Sequence, residues 1–266
     1  MKIAIAGCAG RMGQTLVRKV LATDGVTLGG GSEHTGHKLA GHEVGSLVGV
    51  PTPDVLITTN PEDLFIHADA VIDFTAPEYS VMLAQLAAKH GKVHVCGTTA
   101  IKGESLTAIQ AQTKQARIVY SSNMSIGVNV LQGLVEKMAA ILGPEECDIE
   151  IDEMHHRFKV DAPSGTALML GEAAARGRKV ALADVINHYQ HGVLGARKQG
   201  SIGFSVRRGG DVIGDHTVTF ACMGERIEVA HKASSREIYA TGAIRAAMWA
   251  NKQKPGFYSM KDVLGI

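Results

Sequence analysis

What most narrows the fold of this chain is a repeated alternation of short apolar runs with stretches of helical period. KIAIAGCAGRMGQTLVRKVL opens it. An apolar strand over Ile3–Ala6 meets a glycine turn, and Leu16, Val17, Val20 and Leu21 then recur on one helical face. Val26 to Leu28 reads as a second short strand, followed by Gly29, Gly30 and Gly31. ADAVIDFTAP supplies a buried strand, Ala70 to Phe74, and a polar turn. Tyr79 to His90 reads as a helix with Leu83, Leu86 and Ala87 on its apolar face and Gly91 as its stop. KVHVCGTT is another strand, Ser105 to Ala116 is helical, and RIVYSSNMS is one more strand. Repeated β–α units of this kind predict an α/β, doubly wound parallel sheet that binds ligands at the carboxyl ends of its strands.

The first turn carries Gly7, Gly10 and Gly13, a GxxGxxG spacing. Glycine lets the backbone turn sharply and approach a pyrophosphate, whose charge then rests on the helix N-terminus. Strand–glycine–helix turns also serve plain packing, so the pattern alone is weak. Glu33 strengthens it. It lies 20 residues beyond Gly13, where an acidic side chain accepts hydrogen bonds from an adenosine ribose. The turns at Phe74–Thr75, Gly97–Thr99 and Ser121–Met124 fall at strand ends and are candidates to line a nicotinamide.

The second half reads differently. Ser125 to Leu142 forms a helix with Val128, Leu131, Val135, Met138 and Leu142 on one face, leading out of a first domain. DIEIDEM alternates as a half-buried strand does, so Ile149, Ile151, Glu153 and His155 project one way and His156 the other. The strand runs into EMHHRFKVDAPSGTA, which gathers two histidines, an arginine and a lysine before a helix start. Ser164 or Asp161 can cap that helix, leaving the N–H groups of Gly165 and Thr166 for an anion. Backbone donors make one carboxylate site, and Lys159, His156 and Arg157 make another. The stretch suits a small dicarboxylate.

The blander readings are weighed beside it. Two adjacent histidines without a third ligand are poor metal spacing, with Asp161 the only close carboxylate, so no metal is expected. The His34–His37 and His188–His191 pairs read as surface residues. After a loop spanning Ala183 to Lys198, SIGFSVRRGG and DVIGDHTVTFACMGERIEVAHKA read as strands of a mixed or antiparallel sheet. Arg207 and Arg208 are further cations beside a turn. Ser234 to Lys252 forms a helix that packs back on the first domain. The expected division is residues 1–125, rejoined by 235–266, around a central 126–234.

With 27 basic and 26 acidic residues, no global field recruits nucleic acid or a membrane surface. Cys8, Cys96, Cys147 and Cys222 show no CxxC and no zinc spacing and read as small buried thiols. MKIAIAG is too short for a signal-peptide core, and no run approaches the ~18 apolar residues of a membrane span. The expectation is a soluble, cytoplasmic protein.

EMHHRFKVDAPSGTA closely resembles the signature of the 4-hydroxy-tetrahydrodipicolinate (dihydrodipicolinate) reductases of lysine and diaminopimelate biosynthesis. IAGCAGRMG, VIDFTAP, GTT, SSNMSIGVNV, GFSVRRGGDVIGDHTVTF and HKASSR resemble the family's other blocks, in order. The resemblance implies a Rossmann-like domain plus a central α+β domain for substrate and oligomerisation, a homotetramer, and NADH or NADPH as cofactor. It implies that His155 and Lys159 donate protons and that His156, Lys159, Ser164, Gly165 and Thr166 bind the dicarboxylate. Gly7, Cys8, Ala9, Gly10, Arg11, Met12, Glu33, His34, Gly97, Thr98, Thr99, Ser121, Ser122, Asn123 and Met124 would hold the cofactor.

Two positions depart from the family's pattern. His34 stands where many members carry an arginine suited to a 2′-phosphate, and Glu33 repels phosphate, so NADH is expected to be used well and NADPH less. Lys38 is the cation that would compensate. Met124 stands where an aromatic is common. The competing readings are a non-catalytic nucleotide sensor on a borrowed fold and another amino-acid semialdehyde dehydrogenase. The first predicts dinucleotide binding without turnover; the second predicts no affinity for pyridine-2,6-dicarboxylate.

Overall fold

The computed structural model describes residues 1–188 and 192–266. The chain divides into two compact units, Met1–Ile126 with Arg236–Gly265, and Gly127–Ser235 with Ile266. The first begins β1 (Lys2–Ala6), α1 (Arg11–Leu21), β2 (Thr27–Ser32), β3 (Ile57–Thr58), α2 (Glu62–His67), β4 (Ala70–Asp73) and α3 (Pro77–His90). It continues with β5 (Val93–Cys96), α4 (Glu104–Gln110) and β6 (Arg117–Tyr120). Then α5 (Ile126–Ile141) opens the second unit, followed by β7 (Cys147–His155), α6 (Gly165–Gly177), α7 (Leu182–Val185), β8 (Ile186–His188), β9 (Ile202–Arg208), β10 (Gly214–Cys222) and β11 (Glu225–Ala233). The chain returns to the first unit as α8 (Glu237–Ala250), β12 (Gly256–Tyr258) and α9 (Met260–Leu264).

Among the described residues, the first unit holds a parallel sheet ordered β12-β6-β5-β4-β1-β2-β3. The order reverses between β1 and β4, the topological switch point at which doubly wound sheets take their ligands. Side chains alternate across the strands. Ile3, Ile5, Ile72 and Val95 pack against Leu16 and Val17 of α1 and Ala243 and Ala247 of α8. Ala4, Val71 and Ile118 meet Leu64, Phe65 and Leu83 on the other face. Burial on both faces is why these strands read as continuous apolar runs.

The structure corrects several boundaries. β2 does not stop at Leu28 but runs through the three glycines. A Cβ on Gly31 would lie 2.8 Å from Cys8 Sγ, and one on Gly29 would lie 3.0 Å from Ala68 Cβ, so the glycines allow a strand to pack tightly. The helix expected to reach Ala116 ends at Gln110 and tightens into a 3-10 turn, Ala111–Lys114. The segment expected to be a loop carries α7 and β8. His188 ends β8, and His191 lies outside the described residues.

The second unit's sheet is mixed, ordered β11-β10-β7-β9-β8. β7 and β11 flank β10 antiparallel, while β9 runs parallel to both β7 and β8. Ile149, Ile151, Val218, Phe220 and Phe204 form its core with Val135 of α5 and Leu170 and Ala174 of α6. Cys147 and Cys222 face each other at the paired ends of β7 and β10 and are joined as a disulfide. They are therefore not the free thiols the sequence suggested, because the strand register brings together residues 75 positions apart. Cys8 and Cys96 are buried free thiols, each pushed up to about 12 by burial and then by a nearby carboxylate. No helix among the described residues is long and apolar enough to cross a membrane.

Candidate active site

β7 alternates between its two faces along its whole length and delivers Glu153 and His155 to the buried one. His155 Nδ1 is hydrogen-bonded to the Glu153 carboxylate. Arg208 pairs with His155 in the β7–β9 register and forks onto both Glu153 oxygens, at 3.0 and 2.9 Å. The Ser164 backbone N–H adds a third contact at 3.0 Å. Burial alone would raise the Glu153 carboxyl, but Arg208, His155 and the Ser164 N–H together hold it below its ordinary value.

Opposite Glu153, β10 places His216. Its ring meets His155 edge to face at 5.1 Å, and its Nε2 lies 3.1 Å from Ser164 Oγ. That hydroxyl also accepts from Ala167 N at 3.2 Å, the cap that starts α6. Burial, then repulsion from His155, pushes His216 down to about 4, so it stays neutral near pH 7. Gly214 completes the wall. A Cβ there would sit 3.0 Å from His155 Nε2, so only a residue without a side chain leaves that nitrogen uncovered.

The remaining expected residues surround this dyad. His156 lies just past the end of the strand, half-buried, with Nδ1 buried and without a hydrogen-bond partner. Lys159 Nζ lies 2.6 Å from Asp161 Oδ1. Gly165 opens α6, and a Cβ there would meet nothing within 4 Å, so the approach to the helix end is clear. Thr166 follows it, half-buried, while Arg157 and Arg207 are exposed. The carboxylate bonded to His155 is Glu153, while Asp161 engages Lys159. Glu153, His155 and His216 bring three potential metal-ligand atoms within 4.8 Å, but the Arg208 guanidinium already balances that carboxylate. His216 was missed because a lone histidine in GDHTV carries no local signal.

The first unit holds the second cluster. Gly7 adopts a positive φ of 69°, and a Cβ on Gly13 would lie 2.1 Å from the Gly7 carbonyl oxygen, so that turn admits only glycine. Gly10 caps α1 without any side-chain hydrogen bond. The N–H groups of Arg11, Met12 and Gly13 are therefore the helix's own unsatisfied donors, suited to a pyrophosphate. Ala9 N donates to Glu33 Oε1 at 2.7 Å, which brings the acidic residue to the turn. His34 is exposed and its Nδ1 lies 3.0 Å from the Thr35 carbonyl. Gly97 and Thr98 are buried at the end of β5 and Thr99 is exposed. Beyond β6, Ser121 and Asn123 are half-buried and Ser122 exposed; Ser121 Oγ donates to the Asn123 carbonyl at 2.7 Å. Cys8 and Met124 are fully buried in the core, so their side chains are not available to a cofactor.

Both units match known sequences. Residues 1–124 match the family described as dihydrodipicolinate reductase, N-terminus, and residues 127–264 its C-terminus. The chain belongs to the dihydrodipicolinate reductase family. It is 52% identical over 266 residues to the 4-hydroxy-tetrahydrodipicolinate reductase of Brucella abortus, covering 100% of this chain and 99% of that one. The corresponding protein of Rhizobium rhizogenes is 50% identical, covering 100% and 97%. Among solved structures, a dipicolinate-bound dihydrodipicolinate reductase from Paenisporosarcina sp. TG-14 shares the fold, with a TM-score of 0.78, 22% identity and 97% of each chain covered. This reductase is thus an oxidoreductase with a nucleotide-binding unit for a pyridine dinucleotide.

Proposed function

We propose that this reductase converts 4-hydroxy-tetrahydrodipicolinate to tetrahydrodipicolinate, with loss of water, on the route to lysine and diaminopimelate. The observation that carries the site assignment is the Glu153-held His155, whose Nε2 is left uncovered by Gly214 beside the open end of α6. The bound reduced nicotinamide supplies a hydride. In the first unit, Gly7 to Met12 take the pyrophosphate, Glu33 and His34 the adenosine ribose, and Gly97–Thr99 and Ser121–Met124 the nicotinamide end. Glu33 and the absence of arginine at position 34 favour NADH over NADPH. By resemblance the reductase works as a cytoplasmic homotetramer.

In the second unit, one substrate carboxylate meets the Gly165 and Thr166 end of α6, whose dipole favours an anion. His156 and Lys159 hold the other. A fixed cationic wall makes the ring more electrophilic and stabilises the negative charge that develops beside the attacked carbon. His155 and Lys159 deliver the proton there. Burial pushes free His155 down, opposed by Glu153 and reinforced by Lys159 and Arg208. A bound dianion offsets those two cations and so opposes part of the lowering, in the direction that favours a protonated His155.

The test is cofactor oxidation dependent on the condensation product of pyruvate and aspartate semialdehyde. His155→Gln or Lys159→Ala should depress turnover roughly 10²–10⁴-fold while leaving dinucleotide affinity near that of the parent. Unchanged turnover in both would remove these residues from the chemistry, and a parent without substrate-dependent oxidation would remove the function.

A further inference from the structure

Asp73, at the end of β4, is fully buried, yet the chemistry above makes no use of it. Its Oδ1 accepts from Thr75 N at 2.9 Å, Thr75 Oγ1 at 2.5 Å and Thr98 Oγ1 at 3.2 Å. Its Oδ2 accepts from Ser80 Oγ at 2.5 Å and His94 Nε2 at 3.3 Å, with Cys96 Sγ at 3.7 Å. Thr98 Oγ1 also accepts from Thr75 N at 2.9 Å. His94 Nδ1 is buried without a partner.

These donors are not scattered. They come from the turn after β4, from β5 and the turn that follows it, and from the first turn of α3. The Asp73 carbonyl also takes the Gly97 N–H at 2.8 Å. Phe74 lies over Gly97, where a Cβ would be 2.4 Å from the ring. Thr75 Cγ2 sits 3.0 Å from the place of a Cβ on Gly7. One carboxylate thus ties the end of β4 to the end of β5 and to the start of α3, beside the switch point. A buried charge is costly, and an apolar side chain would close a parallel sheet as well. The carboxylate is better explained by the geometry it imposes on the two turns.

We infer that Asp73 is a positioning residue, which through Thr75 and Thr98 sets the β4 and β5 turns to receive the nicotinamide end of the cofactor. The inference rests on the reading of the first unit as a dinucleotide cradle. It makes a prediction that a general contribution to folding does not. ADP-ribose shares the adenosine, pyrophosphate and second ribose of NADH but lacks the nicotinamide. Loss of the Asp73 ties should weaken NADH and spare ADP-ribose.

The experiment measures dissociation constants of both ligands, with thermal midpoints, for the full chain and for Asp73→Asn and Thr98→Val. Thr98→Val is nearly isosteric and removes only the hydroxyl that joins Asp73 to Thr75, so it decides the matter should Asp73→Asn fail to fold. Expected for each folded variant is NADH binding weakened about tenfold, the scale of a lost charge-assisted hydrogen bond, with ADP-ribose binding within twofold of the parent. Unchanged NADH binding, or equal losses for both ligands, overturns the positioning role alone. A parent chain that binds neither ligand overturns the cradle reading and the inference with it.

Discussion

Glu153 and His155 stand two residues apart on β7, and their side chains meet on one face with His155 Nδ1 bound to the carboxylate. This bond directs Nε2 toward Gly214 and raises the proton affinity that burial lowers. Glu153→Gln keeps the shape and removes the charge. Turnover should fall roughly 100-fold, the lower end of general-acid effects. Activity that depends on protonated His155 is lost as pH rises through its pKa, so the variant's falling limb should move to lower pH. A pH–rate profile of both proteins reads the shift.

Gly214→Ala tests the exposure of Nε2. Its methyl would arrive 3.0 Å from that nitrogen, inside ordinary contact distance. Turnover should drop at least tenfold, on the scale of a displaced general acid, while NADH affinity, a property of the other unit, stays unchanged. Steady-state kinetics paired with a direct binding titration separates the two.

His216 predicts a defined acid instability. Its ordinary value of 6.5 falls to about 4 in the fold, chiefly by burial. The unfolded chain therefore takes up a proton near 6.5 that the folded chain refuses until about 4. Stability is fully present above 6.5, declines as pH falls through that window, and levels off below it. His155 and His231, also lowered by burial, act with the same sign. The carboxyl of Glu153 adds its own loss only below its ordinary 4.5. His216→Gln should flatten the upper part of a plot of thermal midpoint against pH.

His34→Arg addresses cofactor choice. The side chain is exposed, with its Nδ1 beside the Thr35 carbonyl and its ring edge to face with His37, so the replacement gives up one surface ring contact and disturbs no buried packing. A guanidinium there can fork onto a 2′-phosphate. NADPH use should improve about tenfold, the worth of a charge-assisted hydrogen bond, with NADH little changed. The ratio of kcat/KM for the two cofactors decides it.

Much of this protein is written locally. The β–α alternation, the glycine turn and the cap at Ser164 each depend on residues within a few positions, because strand and helix periods and capping hydrogen bonds are short-range. The i, i+2 relation that puts Glu153 beside His155 is equally legible from strand alternation. Other features were not. Arg208 reaches Glu153 across 55 positions and His216 reaches Ser164 across 52, and both depend on which strands pair and in what register. Cys147 and Cys222 meet for the same reason. Asp73 looks like the polar end of an apolar strand until six donors from three segments close on it. Local periodicity and capping determined the elements and the placement of the dicarboxylate loop; the partners of its charged groups were decided only when distant strands aligned, since register is set by burial of the whole sheet rather than by any one segment.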